Sequence, residues 1–161
     1  MLVYSVTNNV GFIKQSDRFE DREIAGEDTS TYKIIKQGEF AYNPARINVG
    51  SIARYYESTP CIISSLYVCF KPKSIVCSDW LLHLLKSDRI LYYYNIFAEG
   101  GVRQYLFYPN FARIKVKLPS LNEQIRIADA INSIDVKLKL EELLYDSFNR
   151  QKTYLLSQMF I

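Results

Sequence analysis

The sequence predicts an α+β protein: a mixed, strand-rich globular domain over residues 1–118, then one long C-terminal helix over residues 119–161. Three observations predict this division. Before Pro119 the apolar runs are short and rich in β-branched and aromatic residues, which suits half-buried pleated strands. After Pro119 no glycine or proline occurs, and apolar residues recur at steps of three and four, which suits a helix. A chain of 161 residues, 48% hydrophobic and 23% charged, is long enough to bury one core and carry an appendage.

Taken in order, residues 2–6, 50–56, 62–70 and 114–118 read as strands. Ser78 and Asp79 offer capping oxygens before an amphipathic run, so a helix is expected from there to Ser87, continuing through Tyr94 to Phe97. The long helix begins at Ser120. Its hydroxyl can accept from the Glu123 amide while the Glu123 carboxylate reaches back to the Ser120 amide. From there Ile127, Ile131, Ile134, Leu138, Tyr145, Phe148, Leu155 and Met159 fall on one stripe, interrupted only by Glu141 and Lys152. A heptad seam of this length predicts an antiparallel coiled coil, and about 33 residues at 1.5 Å rise make a rod of roughly 50 Å. The alternative is a helix packed against its own globular domain.

Several chemistries are excluded at this level. The three cysteines, Cys61, Cys69 and Cys77, are odd in number and never spaced as C-x-x-C, so buried reduced thiols are expected rather than disulfides or a zinc site. The single histidine, His83, sits among leucines and reads as a core or boundary residue, not a catalytic base. There is no G-x-x-x-x-G-K-[ST] to hold nucleotide phosphates. Asn43-Pro44 resembles the start of the N-P-P-Y loop of adenine methyltransferases, but Ala45-Arg46 removes the aromatic platform that would stack on a flipped base. The acidic stretch 17–28 reads as a solvated loop, not a metal site. No catalytic residue, metal or cofactor is expected. Nor is a membrane span or a secretory signal, which leaves a cytoplasmic setting as the expectation.

Charge is unevenly placed. Residues 33–119 carry twelve basic and five acidic side chains, a local excess of the kind that attracts phosphate, whereas the segments on either side are slightly acidic. A solvated surface explains such an excess equally well. The thirteen tyrosines could stack on single-stranded bases, but their amphipathic character suits the edge of a core better.

Two constellations and the tail carry a resemblance. Phe40-Ala-Tyr-Asn-Pro-Ala-Arg-Ile-Asn-Val-Gly-Ser-Ile-Ala53 and Glu99-Gly-Gly-Val-Arg-Gln104 resemble body motifs of type I restriction-modification specificity subunits. Leu118-Pro-Ser-Leu-Asn-Glu-Gln-Ile-Arg-Ile-Ala128, Ile134-Asp135 and Leu155-Leu-Ser-Gln-Met-Phe160 are similar to successive parts of that family's second helical region. The resemblance implies a non-catalytic subunit that recognises half of a split site in double-stranded DNA. Its helices would act as spacer and as dock for methyltransferase subunits, and for restriction subunits through them. A full subunit has two recognition domains and two spacer helices; this sequence resembles a half, lacking part of the recognition domain's N-terminal portion. Ser64-Ser65-Leu66 departs in a small way, since relatives tend to have a proline there.

Read physically, Asn43-Pro44 favours a turn, Gly50 permits positive φ, and Arg46, Asn48, Ser51 and Arg54 supply donors for phosphates or base edges. Arg46 could equally pair with a carboxylate such as Glu39, and Asn48 could simply serve the turn. In the second motif the Arg103 fork suits phosphate or guanine and Gln104 suits adenine. The missing half is expected from a homodimer or from another half specificity subunit. In an antiparallel pair that sets Tyr145 against Phe148, Leu138 meets Leu155, Ile134 meets Met159, and Glu141 meets Lys152. The competing function is a truncated interaction fragment that docks methyltransferase subunits through its helix without reading DNA.

Overall fold

The computed structural model describes residues 1–18 and 29–160, so most of the acidic stretch 17–28 lies outside the described residues. The architecture is α+β, as the sequence predicts. Strands β1 (Val3–Thr7), β2 (Gly11–Lys14), β3 (Lys33–Ile35) and β6 (Cys61–Ile63) form one sheet in the order β2-β1-β6-β3. Strands β4 (Phe40–Tyr42), β5 (Ile52–Arg54) and β7 (Val68–Phe70) form a second, in the order β5-β4-β7. Pairing is antiparallel throughout except where β1 and β6 run parallel, with Val3 opposite Ile62. A four-residue helix, α1 (Gln15–Arg18), follows β2.

The second sheet is covered on both faces, and the two-residue period of its strands divides the core. Phe40, Tyr42 and Ile52 turn one way, to pack with Leu85, Ile90, Tyr94 and Leu106. Ala41, Ala53 and Tyr55 turn the other, to pack with Tyr4, Val6, Ile35 and Ile63 of the first sheet. Each large side chain fully withdrawn from water here contributes about 1.5–3 kcal/mol. Small Ala41 and Ala53 let the two sheets approach, while the bulky residues of the same strands fill the space beneath the helices.

Those helices are α2 (Ser78–Lys86) and α3 (Asp88–Phe97). The single helix expected here is broken at Ser87, which is extended (φ −70°, ψ 148°). Its hydroxyl donates to the Leu84 carbonyl at 2.7 Å, and its own carbonyl accepts from the amides of Ile90 and Leu91, so one residue closes α2 and opens α3. Two other expectations are corrected. Residues 62–70 are two strands in different sheets, because a turn closed by the Tyr67 amide on the Ser64 carbonyl separates them. Residues 114–118 are not a strand: Lys115, Val116, Lys117 and Leu118 are exposed, so their alternation has no face to bury. Strands β2, β3 and β4 were not anticipated.

After a short turn of helix, α4 (Tyr108–Phe111), comes α5 (Leu121–Met159), 39 residues long. The capping box at its start forms as expected: the Glu123 amide donates to Ser120 Oγ at 3.4 Å, and Glu123 Oε2 accepts from the Ser120 amide at 2.9 Å. Its first turns dock on α2. Gln124 and Ala128 are buried and Ile131 is half-buried, at the i, i+4, i+7 spacing of one helix face. The buried Gln124 amide is fully used. Its Oε1 accepts from the Cys77 amide at 2.8 Å, and its Nε2 donates to the carbonyls of Ile75 and Pro119. Asn132 ends the contact with Oδ1 2.7 Å from His83 Nε2, which makes His83 a boundary residue. Every residue from 133 to 160 is exposed.

Candidate nucleic-acid interface

The first motif leaves β4 and returns to β5 as a tight loop. The Asn43 amide donates to the Ser51 carbonyl at 3.0 Å, while Asn43 Oδ1 accepts from the Ala45 amide at 3.0 Å. A single 3-10 turn follows, Ile47–Val49, closed by Gly50 at φ 87°, the left-handed conformation that glycine adopts most readily. The Arg46 carbonyl accepts from the amides of Val49 and Ser51, so the backbone of this residue is committed inward. Its side chain is exposed and lines a shallow cleft of about 90 Å³ with Thr7, Asn8 and Asn43. Asn48 is exposed at the crest of the turn. Arg46 does not pair with Glu39, whose Oε2 accepts from the Lys36 amide at 2.9 Å.

The second motif is a loop pinched at its base, where Glu99 and Tyr105 exchange both main-chain hydrogen bonds at 2.9 and 2.8 Å. Gly100 stands at φ 128°, and a Cβ there would run into the Arg103 carbonyl oxygen. Only glycine lets the loop close this tightly. The closure leaves Val102, Arg103 and Gln104 fully displayed. The two motifs then meet: the Leu106 amide donates to the Pro44 carbonyl at 3.0 Å, and Leu106 and Ile47 pack in the same cluster.

The six residues singled out from sequence therefore separate. Arg46, Asn48, Arg103 and Gln104 are exposed on two joined loops, and their side chains make no hydrogen bond or ion pair among the described residues. Ser51 is buried, with Oγ donating to the Val6 carbonyl at 2.8 Å, so its hydroxyl fastens the loop to β1. Arg54 lies on the helix-facing side of β5. Its Nη1 is 2.8 Å from Asp79 Oδ1 and its guanidinium covers the Tyr56 ring at 5.1 Å. Sequence reasoning supplied the donors but not which way the strand turns them.

The remaining reactive groups are quiet. Burial pushes the Cys69 thiol up to about 11 and the Cys61 thiol up as well, which disfavours the nucleophilic thiolate. Cys61 is buried and Cys69 and Cys77 are half-buried, so the expectation of buried thiols holds fully for one of them. Tyr4, Tyr42, Tyr55 and Tyr94 are core residues, and burial raises the pKa of all four, which keeps their phenols neutral. Among the described residues no group of His, Cys, Asp and Glu side chains could hold a metal ion.

Comparison with known families bears on these loops directly. The family model described as the type I restriction modification DNA specificity domain matches residues 4–147, from β1 through both motif loops and well into α5. The chain belongs to this family. No curated protein matches it. A type I specificity domain recognises DNA, is non-catalytic, and associates with methyltransferase subunits. No helix among the described residues is long and apolar enough to cross a membrane.

Proposed function

We propose that this specificity domain reads one half of a bipartite site in double-stranded DNA with the joined 43–51 and 100–104 loops. The observation that supports this reading is the Leu106–Pro44 hydrogen bond, which ties together two loops distant in sequence on which Arg46, Asn48, Arg103 and Gln104 are exposed. Arginine forks and side-chain amides are the groups that read guanine and adenine edges or hold phosphates. Ser51 and Arg54 serve the scaffold beneath that surface. In this reading residues 1–118 are the recognition unit and residues 119–161 the spacer. The spacer positions methyltransferase subunits and, through them, restriction subunits, in the cytoplasm where such DNA is met.

In this reading the spacer also pairs with a second copy, which brings a second recognition unit. Support comes from α5 itself, which leaves Ile134, Leu138, Tyr145, Phe148, Leu155 and Met159 exposed beyond its last contact with the body. An antiparallel register that sets Tyr145 against Phe148 brings the two charged interruptions, Glu141 and Lys152, opposite each other, where each offsets the other's cost in an apolar seam. The resulting site is palindromic and split. The same exposed face favours a second reading, an interaction fragment that docks partner proteins without reading DNA. Binding of randomised duplexes, with and without methyltransferase subunits, separates the two: retention of a selected sequence class supports recognition, and binding due to the partners alone overturns it.

A further inference from the structure

Beyond the loops lies the neck where α5 leaves the body. Two segments are tied to each other there: residues 71–75, which follow β7, and residues 112–119, which lead from α4 into α5. They are pinned together at both ends: the rings of Phe70 and Phe111 lie 5.6 Å apart, and the Gln124 amide donates to both the Ile75 and the Pro119 carbonyls. Between the pins stand Lys71, Lys73, Lys115 and Lys117, all exposed, with each pair two residues apart in sequence. Arg113 extends the group, its guanidinium held over the Phe97 ring at 5.1 Å.

What distinguishes this strip from an ordinary solvated surface is the absence of compensation. Neither segment contains an aspartate or glutamate. The four lysines make no hydrogen bond or ion pair among the described residues. The nearest carboxylates in sequence are already engaged, Glu123 by Ser120 at 2.7 and 2.9 Å and Asp79 by Arg54 at 2.8 Å, and Glu39, which precedes the Phe40–Phe70 pair and is the carboxylate next to Lys71 in the sheet, accepts from the Lys36 amide at 2.9 Å. Holding like charges together on one strip is unfavourable unless a polyanion offsets it. Along extended chain the two lysines of each segment stand roughly 7 Å apart, about two base-pair steps at 3.4 Å along one strand.

We propose that this neck is a sequence-independent contact for the phosphate backbone of duplex DNA, separate from the reading loops and lying on the spacer side of the half-site. The inference rests on the duplex-reading function above and deepens it. Lysine suits the task, since an ammonium on a flexible stem meets a phosphate as a point charge without demanding a base. The neck then holds the uninterpreted DNA between half-sites along the root of α5, while the loops interpret.

The test replaces Lys71, Lys73, Lys115 and Lys117 together with glutamine in the full chain and measures affinity for a random-sequence duplex across a salt series. A control variant carries glutamine at four other exposed lysines, Lys36, Lys86, Lys137 and Lys139. Each phosphate contact adds about 0.9 to the slope of log K against log salt. The neck variant is expected to lose roughly three units of slope and to bind at least about tenfold more weakly at low salt, with its preference for a selected target over random duplex unchanged. The control keeps its slope. An unchanged slope in the neck variant, an equal loss in the control, or a loss confined to methyltransferase binding would each overturn the assignment. A native chain that binds no duplex at any salt would overturn the duplex-reading function first, and the neck contact with it.

Discussion

The Leu106 main-chain amide donates to the Pro44 carbonyl at 3.0 Å, and through that bond two loops far apart in the chain share one edge. Arg46 and Arg103, on either side of it, are expected to act on the same duplex. If each holds a phosphate, Arg46→Ala and Arg103→Ala weaken binding to every sequence and lower the salt slope by about one unit apiece. If one reads a base, its removal relaxes the preference at a single position at a cost of about 1–3 kcal/mol. Arg54→Ala is expected to behave differently, lowering stability by about 1 kcal/mol through the stranded Asp79 while leaving the slope unchanged. A salt series on the three variants, beside their urea transitions, decides the matter.

Gly100→Ala addresses the shape of the reading surface. The added Cβ meets the Arg103 carbonyl and the backbone is at φ 128°, so the loop must open. Because the loop is exposed, the body should keep its thermal midpoint within a few degrees while discrimination between selected and random duplexes collapses.

Gln124→Leu tests the joint between body and helix. The substitution leaves the half-buried Cys77 amide without its acceptor, at a cost of about 1–3 kcal/mol. Urea unfolding is expected to move to lower concentration by that amount. Hydrogen exchange at Cys77 should accelerate, since this amide is no longer held.

The register of the helix pair is open to a charge exchange. Glu141→Lys alone should loosen the dimer, adding Lys152→Glu should restore it, and cysteines at positions 138 and 155 should crosslink between chains. A chain that sediments as a monomer at tens of micromolar would sink the self-pairing.

Alkaline titration reports on the junction between β1 and the segment after β5. Burial first, and then the Glu57 carboxylate to which its hydroxyl donates at 2.9 Å, push Tyr4 from 10.0 to about 12. The folded protein thus favours the neutral phenol. This contribution to stability is complete below pH 10 and is lost as the pH rises from there through about 12. Tyr4→Phe should flatten that part of the alkaline stability curve, as read by urea transitions at stepped pH.

What could be read in advance followed from how local the cause was. Ser120 and Glu123 are three residues apart and need nothing else to start a helix, so the capping box was legible. The break at Ser87 was nearly so, but Ser87 closes one helix as readily as it lies within one, and only the packing of Leu85 and Ile90 on the second sheet decides. The strand-like run 62–70 divides between two sheets because its halves pair with β1 and β4, a long-range choice. For Ser51 and Arg54 the direction of the side chain was not foreseeable. Along β5 each step reverses the face, and β5 has protein on both sides, so a donor there points into a sheet or a helix rather than outward. Gln124 gave a usable signal in retrospect, for a polar residue in line with Ala128 and Ile131 lies on the docking face. The basic excess of residues 33–119 was visible as a total, but that the segment of Lys71 and Lys73 is tied at its ends to the segment of Lys115 and Lys117 depends on contacts no pattern announces.

The contact of α5 with the body ends at Asn132, and the remaining length is a lever. From Gln124 to Met159 the helix extends about 52 Å, so a tilt of about 10° at that joint sweeps the far end through roughly 9 Å, or nearly three base-pair steps. A buried amide with every hydrogen-bonding group satisfied resists such tilting where a purely greasy contact would slide. If the site is split as proposed, the tolerance of the assembly to an inserted or deleted base pair between its halves is governed by the stiffness of this glutamine joint near the helix root, far from any base.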